Sequence, residues 1–67
     1  MANQLTHKEL MYLNDYLGAE EKEIKKFNDA SSLVQDIQAK GLLKSIATMH
    51  QHHFDTLKRH IDSSAIQ

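Results

Sequence analysis

Five histidines occur in the 67-residue chain, and four of them, His50, His52, His53 and His60, fall in the stretch MHQHHFDTLKRH at 49–60. His50 and His53 are three positions apart. On a helix that spacing stacks two side chains on one face, a turn apart. Two imidazoles so placed, joined by a carboxylate, make a ligand set for Zn, Fe, Mn or Cu. The same pair could act as a pH switch, because imidazole changes charge near neutrality. It could also be polar decoration on a wet helix face. The carboxylate that would decide between these is Glu20, the one acidic residue in the apolar stripe of the preceding segment.

Other chemistry is thin. With no cysteine there is no disulfide and no thiolate site. The serines (Ser31, Ser32, Ser45, Ser63 and Ser64) fall at turns, in the tail or on helix surfaces, and form no Ser/His/Asp pattern. No glycine-rich phosphate loop is present. Catalysis by side chains alone is therefore not expected, and metal-dependent redox chemistry is the one enzymatic reading worth carrying. Tyr16 precedes Glu20 by one turn, where it can hydrogen-bond to the polar residues or pack as an aromatic.

Helices must position these residues. The chain lacks proline, has only Gly18 and Gly41, and shows no alternating strand pattern. Leu10, Leu13, Leu17, Glu20, Ile24, Phe27, Ser31 and Val34 recur at helical spacing. Thr6-His7-Lys8-Glu9 has the form of a capping box. The first helix is therefore expected at about 7–34. A second run, Ala39, Leu43, Ile46, His50, His53, Leu57 and His60, predicts a helix at about 37–61 with Asp36 as N-cap. The tail DSSAIQ is expected to fray. The turn is placed near Gln35, and NDASS at 28–32 is the competing break.

A short turn makes the two helices antiparallel neighbours. Facing residues then share a constant index sum, and 70 centres the turn on Gln35. That register sets Phe27 against Leu43, Ile24 against Ile46 and Leu13 against Leu57. It also sets Glu20 against His50, Leu17 against His53 and Leu10 against His60. His52 falls outside the stripe. Met11, Tyr12, Tyr16, Leu42, Met49, Phe54 and Ile61 lie beside the seam, where a hairpin cannot cover them. The fold class is all-α: an antiparallel helical hairpin that dimerises into a four-helix, ferritin-like bundle. A two-fold axis through its middle would gather both copies of Glu20, His50 and His53 into one polar layer. That layer either fixes register without metal or binds an ion through those residues, with no further cofactor.

Eight Lys and Arg stand against nine Asp and Glu, with Lys22, Lys25 and Lys26 interleaved with Glu20, Glu21 and Glu23. No basic stripe forms, so nucleic acid is not an expected partner. No segment is apolar for long enough to span a membrane, and MANQLTHKEL has no signal-like apolar run. A soluble, intracellular protein is expected. A small helical adaptor for another protein is a third reading.

LTHKELMYLND near the start and MHQHHFDTLKRHI near the end resemble the short coat-F type spore coat proteins of clostridia and bacilli. The resemblance runs from about Leu5 to Ile61, and its most distinctive part is the H-x-x-H-F run. It implies a fold like half of a ferritin-like bundle, synthesis in the cytoplasm during sporulation, and deposition in the spore coat beside other coat proteins. Ferritin-like di-metal proteins carry a Glu on one helix and Glu-x-x-His on the next, twice over. Here Glu20 matches the lone Glu and His53 the His, but His50 stands where the bridging Glu belongs. A neutral imidazole does not bridge two irons, so the comparison implies a histidine-rich mononuclear site or a polar layer.

Overall fold

The computed structural model describes residues 5–65, which form two α-helices packed against each other as a hairpin, α1 (His7–Leu33) and α2 (Ile37–Ala65). α1 starts where its capping chemistry dictates. Thr6 is extended, its hydroxyl accepts from the Glu9 amide at 3.0 Å, and its own amide donates to Glu9 Oε1 at 2.9 Å. Two amides that a helix start leaves orphaned are thereby paired.

α1 ends at Leu33, and Val34 leaves the helix with extended backbone (φ −94°, ψ 147°). The competing break at NDASS does not form. Both the Ser31 and Ser32 hydroxyls donate back to the Asn28 carbonyl, at 2.8 and 3.2 Å, so these serines stay within the helical pattern. The last turn of α1 has no basic residue of its own. Lys40 supplies one from α2: its Nζ donates to the Ser31 carbonyl at 2.7 Å, placing a cation at the negative end of α1. Asp36 opens α2, with Oδ1 accepting from the Ala39 amide at 2.7 Å. Residues 34–36 form the whole connection.

α2 runs four residues past the end at 61 that periodicity predicts. DSSA contains neither glycine nor proline, and Lys58 pairs with Asp62 across that turn at 3.1 Å, so the helix continues to Ala65. The last two residues of DSSAIQ lie outside the described residues.

The molecule measures 48 × 19 × 12 Å. Its smallest dimension is about one helix diameter, so the hairpin is a single layer and encloses almost nothing. Among the described residues only Ala47 and Ser31 are buried. Leu10, Leu13, Leu17, Ile24, Phe27, Leu43, Ile46 and Leu57 line the seam half-buried. Phe54 and Ile61 join them, while Met11, Tyr12, Tyr16, Leu42 and Met49 are exposed. Tyr16 is therefore neither packed within the hairpin nor bonded to the polar residues. Leu33 and Ile37, which flank the turn, are also exposed.

Candidate metal centre

Glu20 lies at the midpoint of α1 and His50 close to that of α2. The antiparallel hairpin brings them together: His50 Nδ1 lies 2.5 Å from Glu20 Oε1. A carboxylate only accepts, so with Glu20 ionised the imidazole proton sits on Nδ1 and donates. His53 reaches the other oxygen, with its Nδ1 3.3 Å from Glu20 Oε2. One carboxylate thus receives two imidazoles from successive turns of α2.

The three side chains differ in exposure. Glu20 and His50 each retain 20% of their surface and His53 retains 52%. His50 is an inward residue, whereas His53 sits at the rim of the seam. The seam pattern makes both inward. Helical side chains, however, lean towards their own N-terminus, and in an antiparallel pair these tilts move touching residues to index sums above 70. Glu20 accordingly meets His53 as well as His50, and Leu17 is not the residue that receives the His53 nitrogen.

The same tilt explains a contact that periodicity did not reveal. The Phe27 ring stacks on the His50 imidazole, with centroids 5.9 Å apart and planes 17° from parallel. Register 70 had set Phe27 against Leu43, about two turns closer to the hairpin end. On its other side His50 meets His53 edge-on at 5.7 Å. Lys26 Nζ lies 5.5 Å from the Phe27 ring centre. His50 is therefore held between an aromatic wall and a second imidazole. His52 and His60 are exposed and take no part, and His7 is exposed in the first turn of α1. Among the described residues, every buried side-chain nitrogen and oxygen has a partner.

Glu20, His50 and His53 each place one ligand atom within 4.8 Å of the other two. A tetrahedral ion with bonds of about 2.0–2.2 Å sets its ligand atoms roughly 3.3–3.6 Å apart. The 3.3 Å between His53 Nδ1 and Glu20 Oε2 falls in that range, whereas His50 Nδ1 bonds the other oxygen, Oε1, and has to move off it to join the same ion. The donor set fits one ion with two nitrogens and one oxygen. It does not fit a carboxylate-bridged di-iron centre, because position 50 offers an imidazole.

No protein-family model, curated protein or solved structure matches the chain.

Proposed function

We propose that the chain is a self-assembling structural module: two hairpins pack face to face as a homodimeric four-helix bundle. One observation carries this reading. The described residues bury only Ala47 and Ser31, while Met11, Tyr12, Tyr16, Leu42 and Met49 stay exposed. A two-helix layer of this size does not stabilise itself, and association is one of the few remedies open to a chain without cysteine.

The two faces of the layer differ in what they offer a second copy. One groove along the seam is lined by Glu21, Ile24, Lys25, Gln51 and Phe54, and the other by Glu20, His53, Thr56 and Leu57. At about 100° per residue, Asn14, Asn28, Lys44, Asp55 and Lys58 fall on the first side. Tyr12, Tyr16, Ala19, Leu42 and Met49 fall on the second, with Glu23 among them. The first face is charged and solvated. The second is the more apolar of the two, around the Glu20–His53 groove, and is the face a second copy covers.

The resemblance to coat-F type proteins supplies a setting in which this module is a building unit of the spore coat, assembling with other coat proteins after synthesis in the cytoplasm. A fluorescent fusion made in a sporulating bacillus tests the setting: a ring at the spore surface supports it, and uniform mother-cell fluorescence counts against it. Assembly itself is tested by analytical ultracentrifugation. The wild-type chain sediments at twice its 7.7 kDa mass, and Met49→Glu shifts it towards monomer. Lys44→Glu, on the charged face, leaves the dimer intact. Equal effects of the two substitutions would show that the interface lies elsewhere.

The close approach of ligand atoms from Glu20, His50 and His53 favours a second reading, that of a ferritin-like metal-binding protein. Its ion would sit in the polar layer of the bundle and supply structural cross-linking or one-electron chemistry.

A further inference from the structure

Two of the three candidate ligands, Glu20 and His53, open on the more apolar face of the layer. The groove lined by Glu20, His53, Thr56 and Leu57, about 340 Å³ in volume, opens on the side of the layer that carries Tyr16 and Met49. We propose that Glu20, His50 and His53 bind one first-row divalent cation per chain, with Zn²⁺ as the natural probe, and that occupancy of this site drives self-association. The inference rests on both readings above.

Three features of the site carry it. First, its ligands are two imidazoles and one carboxylate, a set that prefers Zn²⁺, Cu²⁺, Co²⁺ or Fe²⁺ to Mg²⁺ or Ca²⁺, which want all-oxygen shells. To hold an ion through Nδ1, each imidazole would present the lone pair there and carry its proton on Nε2. Second, three protein ligands would leave a further position for water or another ligand, and His53, half exposed at the rim, gives an ion access from the groove.

Third, the ligands come from both helices: Glu20 from the midpoint of α1, His50 and His53 from α2. One cation would therefore staple α1 to α2 and fix the hairpin in the form whose face a second copy covers. Metal therefore tightens the dimer, and by reciprocity the dimer tightens metal binding, by a factor of roughly 5 to 150.

The experiment measures Zn²⁺ binding by calorimetry and dimer dissociation by sedimentation equilibrium, with and without Zn²⁺, on the full chain. Expected are one Zn²⁺ per chain, no uptake of Mg²⁺, and a dimer constant at least about fivefold tighter with Zn²⁺. His53→Ala, at a half-exposed position where folding is undisturbed, weakens Zn²⁺ by about tenfold or more, since even an outer partner of a ligand is worth that much. It also abolishes the effect of Zn²⁺ on association. Glu20→Gln keeps a hydrogen-bond acceptor and loses the ion in the same way, while His52→Ala changes neither quantity. If Zn²⁺ binds through these residues but leaves the dimer constant unchanged, the coupling is refuted and the metal reading stands. If His52→Ala weakens binding as much as His53→Ala, or no Zn²⁺ binds, the site itself is refuted. A chain that stays monomeric with and without Zn²⁺ overturns the self-association reading and the coupling with it.

Discussion

At residue scale, the decisive contact is between the Glu20 carboxylate and two imidazoles of unequal exposure. Glu20 is mostly covered, so it depends on those donors. Replacing His50 with Leu removes the nearer one and leaves the carboxylate with only the 3.3 Å approach of His53. That substitution should cost about 1–3 kcal/mol in chemical denaturation. Glu20→Leu combined with His50→Leu should recover the loss, because replacing both members of a covered polar pair by apolar groups is often neutral or better. Strictly additive single effects in this cycle would mean that the two side chains are not coupled. At the other end of α1, the Thr6 backbone amide, and then the Thr6 hydroxyl, hold the Glu9 carboxyl below its ordinary 4.5. A depressed carboxylate stabilises the fold above its unfolded value, and this contribution is lost as pH falls through the folded value. Wild type should therefore lose helix start below about pH 4.5 more steeply than Glu9→Gln, which keeps the capping geometry without the charge. Superimposable acid titrations by circular dichroism would contradict this.

At element scale, the two helices carry two glycines that their geometry does not require. A Cβ at Gly18 or Gly41 would meet nothing within 4 Å, and neither has a positive φ. Alanine at either position should stabilise the hairpin by about 0.5–1 kcal/mol. Because both positions lie outside the apolar face, dimer affinity should rise no more than folding stability does. Thr6→Ala should cost about 1 kcal/mol through the lost cap. Much of this level was legible in the sequence: the Thr6–Glu9 box, the Asp36 cap and the 3–4 stripe depend on local spacing, and so did the meeting of Glu20 with His50. What was not legible depends on three-dimensional tilt and reach. The index sum treats side chains as perpendicular to the axis, so it set His53 against Leu17 and left the Phe27–His50 stack unseen. The Lys40 cap on Ser31 needs a long side chain crossing the turn, which periodicity does not encode. The extension of α2 to Ala65 reflects an absence of stop signals in DSSA more than any positive signal.

At the scale of the whole molecule, the hairpin is one layer with a charged face and a more apolar face, and its polar cluster opens on the more apolar side. A ligand that binds only the folded state at a hundredfold excess over its dissociation constant stabilises by about 2.7 kcal/mol. Zn²⁺ should therefore raise the melting temperature measurably, and a chelator should reverse the gain. Protons compete with metal for imidazole and carboxylate ligands, so the gain should shrink as pH is lowered. On the proposed reading this fold exists by association. The measurement that addresses it most directly is thermal unfolding followed by circular dichroism over a wide range of chain concentrations, with metal removed. Unfolding coupled to dissociation makes the melting temperature climb steadily with concentration. A cooperative transition at one fixed temperature across the whole range would show that the isolated hairpin stands on its own, and would contradict the account.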